Sequence, residues 1–368
     1  MNNRRKNAIY SIVLLSLVAI VYLYRKNQAA QQLPKSNNTS QSSTDSTNAG
    51  KATTANDRTV KVTGTTMGKI VYNVTYLDEK KRDLKPGIDS VLVAFNQSLS
   101  TYIPDSEIST FNKGTEALSP TRMFERVFLS SQEIYRATDG AFDPTISPLI
   151  NAWGFGFKKA EKGKIAIDSL LQYVGFDKYL KYADKKIAKS KAGIMLDFSA
   201  IAKGYAVDIV GEYLVSEGIK NYAVEIGGEV RCQGKNNAGR TWLFGVKDPQ
   251  YKEKNRASAF AAIYLENKAM ATSGNYENFY IKDGKKYAHT IDPKTGYPVE
   301  HSLLSASVLA NDCMSADAYA TAFMVMGLEK AKKVLEAQPD LEAFLIYADA
   351  EGKLQSFTTK GAQKYLAK

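Results

Sequence analysis

Histidine and cysteine are scarce in this sequence. Its 368 residues include two histidines, His289 and His301, and two cysteines, Cys232 and Cys313. The cysteines lack a CxxC spacing, so neither a zinc site nor a dithiol redox motif is supported. The sequence leaves open whether they pair in an oxidising compartment or remain two separate buried thiols. With so few imidazoles, few side chains titrate near neutral pH.

Several common signatures of nucleotide-binding and hydrolytic enzymes are also missing. The chain contains neither GxGxxG nor GxxxxGK[ST], which argues against a dinucleotide-binding Rossmann unit and against a P-loop. The pair of glycines in "EIGGEV" instead predicts a strand that contains a turn or a bulge. A nucleophile elbow, an HExxH motif and a kinase signature are absent from the sequence as well.

The balance of charge is positive, with a net charge of +11 and a pI near 9.2. Such an excess favours an anionic partner such as a nucleotide, a phosphate or a lipid headgroup, although lysines scattered over a solvated surface would give the same total. Nucleic acid is not expected as a partner, because the sequence shows neither a basic helix nor an aromatic stacking motif.

The N-terminus has the pattern of a membrane anchor. Three basic residues, Arg4–Lys6, precede an uncharged apolar run from Ala8 to Tyr24 that is about long enough to span a bilayer. A cleaved signal peptide is the alternative, but the run is long for one and has no small-residue cleavage site. We therefore predict an uncleaved anchor at residues 1–27 and a single-pass location in the cytoplasmic (inner) membrane, with the folded body on the periplasmic side.

The remaining chain divides into two parts by composition. Residues 28–58 are rich in Ser, Thr, Asn, Gln and Ala and cannot bury enough apolar surface to fold, which predicts a flexible linker. Residues 59–368 have the mixed composition of a globular domain.

Periodicity within residues 59–368 predicts both strands and helices. Alternating β-branched and polar residues predict strands around a glycine turn in "TVKVTGTTMGKIVYNVTYL". Further strands are expected in "YAVEIGGEVRCQGK", "TWLFGVKDP", "AFAAIYLEN" and "KAMATSGNYENFYI". Helical spacing predicts helices in "GIDSVLVAFNQSLSTYI", "TRMFERVFLSSQEIYRAT" and "SADAYATAFMVMG", the first followed by a loop, "PDSEISTFNKG". Strands and helices do not alternate regularly, so the predicted class is α+β, with largely antiparallel sheets and packed helices.

Two motifs on predicted helices offer side chains that could bind ions. Asp317 and Thr321 are four residues apart and share one helical face, a donor set suited to a hard cation such as Mg²⁺. An Asp in a first helical turn and a Thr bonded to its own backbone are the ordinary alternative. In "IMLDFSAIAKGYAVD", Asp197 is expected to end a short strand and Ser199 to cap a helix that stops at Gly218. An anion at the helix start would have Lys203 as its counter-charge. Ordinary pairing of Asp and Lys on a solvated helix start is the alternative, which these residues alone favour.

The stretch "HTIDPKTGYP" combines His289 with a carboxylate and turn-forming residues. Such a rigid loop could hold a general base, whereas an imidazole satisfied by a backbone group is the alternative. His301 follows the turn and is expected to be an ordinary surface residue.

Taken together and in order, these motifs resemble those of the ApbE family of FAD:protein FMN transferases. The resemblance covers about Thr66 to Gly327 and depends on an ordered set of stretches. They are "TTMGKIVYNV", "STYIPDSEISTFN", "TDGAFDPTISPLINAWGFG", "LDFSAIAKGYAVD", "EIGGEVRCQG", "SGNYENFY", "YAHTIDPKTGYPV" and "DCMSADAYATAFMVMG".

The resemblance implies a role for individual residues. His289 matches the histidine that assists proton transfer from the attacking hydroxyl. The metal-binding positions correspond to Ala200, through its carbonyl, and to Asp317 and Thr321. The FAD-binding positions correspond to Met67, Tyr102, Ala141, Phe142, Asp143, Asp197, Lys203 and Ile291.

The resemblance also implies a reaction and its partners. We expect Mg²⁺-dependent transfer of the FMN moiety of FAD, a substrate, to a Ser or Thr hydroxyl of a target flavoprotein, with release of AMP. By resemblance the acceptor is a flavoprotein subunit of a membrane electron-transport complex. Hydrolysis of FAD to FMN and AMP, or flavin binding without turnover, are the alternatives. The predicted anchor adds the membrane as a further partner.

Overall fold

The computed structural model describes residues 58–156, 166–249, 259–275, 279–282, 285–288 and 290–367. All of these residues belong to one unit, Thr54–Lys368. The predicted anchor, all but the last residue of the predicted linker, and His289 lie outside the described residues. The predicted domain boundaries therefore stay predictions.

Within the described ranges, no helix is both long enough and apolar enough to cross a membrane. We correct the predicted localisation on this finding. The single-pass location in the cytoplasmic membrane, with the membrane as a partner, is wrong by this criterion and is not retained.

The described residues form 14 strands and nine helices, together with a 3₁₀ turn at Ala362–Tyr365. The strands are β1 Thr59–Thr66, β2 Ile70–Leu77, β3 Leu180–Ala183, β4 Lys186–Lys189, β5 Tyr222–Ile226, β6 Glu229–Gln233, β7 Trp242–Lys247, β8 Ala259–Leu265, β9 Lys268–Gly274, β10 Phe279–Lys282, β11 Lys285–Ala288, β12 Leu303–Ala310, β13 Glu342–Ala348 and β14 Leu354–Thr358. The helices are α1 Lys85–Leu99, α2 Glu107–Lys113, α3 Arg122–Ala137, α4 Ser147–Ala152, α5 Ile167–Leu171, α6 Phe176–Tyr179, α7 Ala202–Ser216, α8 Cys313–Met326 and α9 Leu328–Ala337.

Eight strands form the central sheet, in the order β1-β2-β5-β6-β9-β12-β13-β14. Every neighbouring pair is antiparallel. Three further strand pairs, β3–β4, β7–β8 and β10–β11, each form a two-stranded sheet. This arrangement confirms the predicted α+β class with antiparallel sheets.

Helices α1, α3, α7 and α8 supply the apolar residues that cover one face of the central sheet. Their buried residues, including Ile88, Phe124, Val207 and Phe323, belong to the same hydrophobic cluster as inward-facing residues of the sheet such as Val224. Full burial of each such side chain contributes about 1.5–3 kcal/mol, so this cluster is the main source of stability.

The β7–β8 hairpin covers part of the opposite face. Val246 and Ile263 of the hairpin cluster with Val230, Met270 and Leu309 of the sheet. The two cysteines lie in different clusters, Cys313 on the helical face and Cys232 under the hairpin, and both are free and buried. The pairing that the sequence left open is therefore resolved in favour of two separate thiols, and burial raises the pKa of Cys232 to about 12.

Three local predictions differ from the structure. No strand forms in the described residues just before Asp197, and helix α7 begins at Ala202, with Ile201 at its N-cap position and no side-chain cap. The reason is that Ser199 donates its backbone N–H to Asp197 Oδ1 at 2.9 Å, which turns the chain before the helix. The predicted loop after α1 contains helix α2, capped by the Ser106 side chain. The predicted stop is confirmed, because Gly218 has φ +82° just after α7.

Candidate active site

A cavity of about 410 Å³ lies where the start of α7, the side of α8 and the ends of several sheet strands meet. Nine of the eleven residues predicted to bind FAD or metal line it. They are Ala141, Phe142, Asp143, Asp197, Ala200, Lys203, Ile291, Asp317 and Thr321. Segments of the chain that are more than 170 residues apart, such as those of Phe142 and Asp317, therefore meet at one place.

The close packing of α7 against α8 depends on Gly204. A Cβ atom at this position would lie 2.1 Å from the backbone oxygen of Cys313 and 2.8 Å from the Cβ atom of Asp317. The Gly204 N–H also donates to Asp317 Oδ2 at 2.9 Å. A glycine is needed here, and it fixes one oxygen of the buried Asp317 carboxylate.

Two carboxylates hold the N-terminus of α8. Asp312 is its N-cap and accepts from the Ser315 N–H at 2.8 Å. Asp208 of α7 accepts from the backbone N–H groups of Cys313 and Met314 at 2.9 and 2.8 Å. Burial raises the pKa of Asp208 to about 6, although the neighbouring Arg231 opposes this effect. Both carboxylates bind helix amides that lack partners within the helix, and because Asp208 belongs to α7, its two bonds fix the position of α8 relative to α7.

The floor of the cavity holds a compact charge cluster. Lys203 Nζ forms an ion pair with Glu229 and lies 3.7 Å from Asp317 Oδ1. Burial alone would lower the pKa of Lys203, but the two carboxylates outweigh it and raise this pKa. Burial raises the pKa of Glu229 to about 7, against the effect of Lys203. Lys203 is therefore a stable cation between two acidic side chains.

Glu229 was not recognised from the sequence, although the turn before it was. Gly227 and Gly228 have φ values of +63° and +106° and join β5 to β6. They confirm the turn predicted in "EIGGEV". The turn places Glu229 at the start of β6, almost fully buried, with Oε2 lacking a hydrogen-bond partner among the described residues. An acidic residue directly after a glycine pair was the available signal.

The donor atoms near Asp317 suit a hard cation. Asp317 and Thr321 both line the cavity from α8, and Ala200 lines it from the segment before α7. Thr321 Oγ1 lies 3.1 Å from Ser273 Oγ, a second hydroxyl that the sequence did not reveal. In the part of the chain that the structure describes, no group of three or more His, Cys, Asp or Glu side chains is placed to hold a metal. One carboxylate with neutral oxygens fits Mg²⁺, which leaves much of its coordination shell to water or substrate.

Two further acidic residues, Asp143 and Asp197, line the cavity from separate segments of the chain. Asp143 accepts from the backbone N–H and the hydroxyl of Thr145 at 2.8 and 2.6 Å. Burial raises the pKa of Asp143 to about 6 and also raises that of Asp197. The backbone N–H of Asp197 donates to the carbonyl of Pro144 at 2.8 Å, which joins the two segments.

The loop that follows His289 is closed by its own backbone. Ile291 forms a β-bridge with Pro298, and the Gly296 N–H donates to the Asp292 carbonyl at 2.8 Å. Gly296 has φ +74°, and a Cβ atom there would lie 2.5 Å from a methyl carbon of Ile167. The turn residues therefore form a rigid loop that presents Thr290 and Ile291 to the cavity. His289 lies outside the described residues, so its predicted role is untested.

Three other described residues considered in the sequence analysis do not line the cavity. Met67 lies in the β1–β2 turn with φ +46°, and Tyr102 is 76% exposed. Neither is among the described residues that line the cavity, so their assignment to FAD binding stays a prediction. His301 is half-buried, and its Nε2 lies 2.9 Å from the Met324 carbonyl at the end of α8, so the predicted surface residue also contacts the fold.

Comparison with known proteins identifies relatives of this chain. The profile of the ApbE family matches residues 64–345. A protein from Haemophilus influenzae named FAD:protein FMN transferase is 35% identical over 322 residues, which cover 84% of this chain and 91% of that protein. The structure described as flavin transferase ApbE from Vibrio cholerae is 33% identical with a TM-score of 0.76, covering 84% of this chain and 99% of that one. An ApbE protein from Thermotoga maritima is 27% identical with a TM-score of 0.73, covering 84% of this chain and 100% of that one.

Proposed function

This chain belongs to the ApbE family and is an enzyme of the FAD:protein FMN transferase type, and from this premise we propose that it modifies a Ser or Thr of a target flavoprotein. The acceptor hydroxyl oxygen attacks the FMN-side phosphorus of FAD. The bond from that phosphorus to the bridging oxygen breaks, AMP leaves with that oxygen, and the hydroxyl proton passes to a base. The product is a phosphoester between FMN and the target.

One observation carries this proposal. Residues assigned separately to FAD and to metal line one cavity, including Phe142, Asp143, Lys203 and Asp317. Phosphoryl transfer needs positioning and charge stabilisation more than covalent catalysis, so a site for this reaction must bring an anion-binding group and cation-binding oxygens together. Lys203 Nζ and Asp317 Oδ1 lie 3.7 Å apart, which is consistent with that requirement.

Each residue of the cavity then has a distinct task. Lys203 offers a positive charge to the pyrophosphate. Asp317, Thr321 and the Ala200 carbonyl are the proposed ligands of Mg²⁺, which when bound supplies further positive charge to phosphate oxygens. Phe142 and Ile291 contribute apolar surface for the FAD, while Asp143 and Asp197 can accept hydrogen bonds from it.

We assign the proton transfer to His289. A hydroxyl is a poor nucleophile at neutral pH, and a positioned base contributes roughly 10²–10⁴-fold to the rate of such reactions. The closed loop from Thr290 to Pro298 supports this assignment, since it would restrict the imidazole just before it.

The partner that we propose is a flavoprotein subunit of a membrane electron-transport complex. By family resemblance its acceptor residue lies in a short motif of the form Ser/Thr-Gly-Ala-Ser/Thr. The positive net charge of +11 would favour association with an acidic partner.

The test is incubation of the purified full chain with FAD, Mg²⁺ and such a subunit, followed by mass spectrometry of the subunit and chromatography of released nucleotides. We expect AMP release that depends on the acceptor, and a mass gain equal to FMN less one water. AMP and free FMN without any acceptor would instead indicate an FAD pyrophosphatase. FAD binding with no AMP at all would indicate a flavin-binding protein.

A further inference from the structure

The charged residues that line the cavity are mostly acidic, although the proposed substrate carries a negative pyrophosphate. Among the described lining residues, a single ammonium group, that of Lys203, faces four carboxylates. The carboxylates belong to Asp143, Asp197, Glu229 and Asp317. An anion that enters this cavity by itself meets a net negative environment. Repulsion between the anion and buried carboxylates is strong, because the protein interior screens charges less than water does.

Glu229 contributes to this imbalance without having a role in the proposed reaction. It is 2% exposed, and one of its oxygens already pairs with Lys203. Its other oxygen, Oε2, is buried and has no hydrogen-bond partner among the described residues. An uncompensated buried carboxylate oxygen is costly, which indicates that a ligand completes it.

Glu229 and Asp317 approach Lys203 together, so the ammonium group is already shared before any substrate arrives. A phosphate must compete with these two carboxylates for the same cation. A divalent cation bound beside Asp317 would offset their negative charge and leave Lys203 available to the phosphate.

We infer that Glu229 couples the binding of the two ligands, so that a divalent cation bound in the cavity raises its affinity for the diphosphate of FAD. This inference rests on the proposed function and adds an electrostatic coupling between the two ligands to it. By linkage, FAD must raise the affinity for the cation by the same factor, and couplings of this kind are typically about 5–150-fold.

The experiment is calorimetric titration of the full chain at pH 8. FAD is titrated with and without Mg²⁺, and Mg²⁺ is titrated with and without FAD. ADP, which carries a diphosphate on the same adenosine but no FMN, is the non-transferable probe. For the unmodified protein we expect Mg²⁺ to tighten FAD and ADP binding by at least about 5-fold.

The decisive variant is Glu229→Gln, which keeps the shape of the side chain and removes its charge. It should bind FAD several-fold more tightly than the unmodified protein when Mg²⁺ is absent, and bind Mg²⁺ several-fold more weakly when FAD is absent. If the Glu229 side chain had only a structural role, its replacement would weaken the binding of both ligands together. Glu225→Gln is the matched control, because Glu225 lies in the same β5–β6 hairpin but does not line the cavity, and it should leave both affinities unchanged.

Other outcomes would overturn the inference. If FAD binds equally well with and without Mg²⁺, the coupling does not exist, although the proposed transferase stands. If Glu229→Gln weakens FAD binding to the same extent in both conditions, Glu229 only positions Lys203. If FAD binds under no condition, the proposed function fails, and the inference fails with it.

Discussion

The two faces of the central sheet are built by the same strands but bury different kinds of side chain. Strand β6 shows this in four successive residues. Glu229 and Arg231 point to the helical face and pair with Lys203 and with Asp208 of α7, whereas Val230 and Cys232 lie in the apolar cluster under the β7–β8 hairpin. The pleat of a strand makes this possible, because neighbouring side chains point to opposite faces.

Beside the cavity, the difference separates stability from chemistry, although the apolar cluster on the rest of the helical face remains the main source of stability. The hairpin face buries apolar area and so contributes directly to folding. The helical face near the cavity holds buried ion pairs, whose desolvation cost offsets much of their attraction. Such pairs contribute little net stability, but they fix the position of Lys203 and Asp317. Substitutions of the charged residues beside the cavity should therefore affect transfer more than stability, and substitutions under the hairpin should do the reverse.

Asp317→Ala should separate loss of transfer activity from loss of stability most strongly. This change removes the only carboxylate among the proposed metal ligands, so we expect FMN transfer to fall to background while the protein stays folded. Thr321→Val should be milder, since it removes a neutral ligand. AMP release and circular dichroism measure the two properties, and full transfer by the Asp317 variant at ordinary Mg²⁺ concentrations would contradict the metal site.

His289→Asn should have the next largest effect. It keeps a hydrogen-bonding side chain but removes the titratable group, so single-turnover transfer should slow by roughly 10²-fold or more with FAD binding retained. His301→Asn is the control. Its imidazole contacts the end of α8, outside the residues that line the cavity, so we expect transfer to be nearly unchanged and the free energy of unfolding to fall by about 1 kcal/mol.

An unchanged rate and pH profile for His289→Asn would show that the base is another residue. Equal losses of transfer in both histidine variants would show instead that the end of α8 affects the site as much as the loop does.

Gly204→Ala tests whether the contact between α7 and α8 sets the geometry of the cavity. The added methyl group would overlap the Cys313 carbonyl, so the free energy of unfolding should fall by about 1–3 kcal/mol. Transfer should slow about 10-fold because Asp317 is displaced. This effect is smaller than the roughly 10²-fold loss that a misplacement of about 1 Å can cause, since we expect a smaller displacement. Thermal unfolding and transfer rates are the measurements.

Gly245→Ala on β7, in the hairpin on the other face of the sheet, is the matched control for Gly204→Ala. The nearest atom to its added methyl group, the Cβ of Ala259, is 3.4 Å away, an ordinary contact. Neither stability nor transfer should decrease. If Gly204→Ala is equally harmless, the close approach of the two helices does not control the site.

Ile263→Ala should leave transfer unchanged. Ile263 is buried in the cluster under the hairpin, and its truncation should lower the free energy of unfolding by about 2–5 kcal/mol. Denaturant unfolding gives this change, and the transfer rate per folded molecule should equal that of the unmodified protein at temperatures where both are folded. A parallel loss of transfer would mean that the two faces are not independent.

Local patterns in the sequence predicted most of the fold. Helices α1, α3 and α8 and the hairpin of β1 and β2 follow from apolar periodicity and glycine turns, which act within a few residues. The predictions failed where a side chain competed locally with the backbone. Asp197 delays the start of α7, and Ser106 caps a short helix in what looked like a loop.

The sequence by itself determined the family, the α+β class and nine of the residues that line the cavity, because ordered motifs and local periodicity can be read without coordinates. Only the tertiary structure decided how these residues are combined. Glu229 became visible as a partner of Lys203 because the β5–β6 turn, the sheet and helix α7 bring them together. Long-range contacts of this kind depend on the packing of whole elements, and the charge on a buried residue depends on neighbours that sequence spacing does not specify.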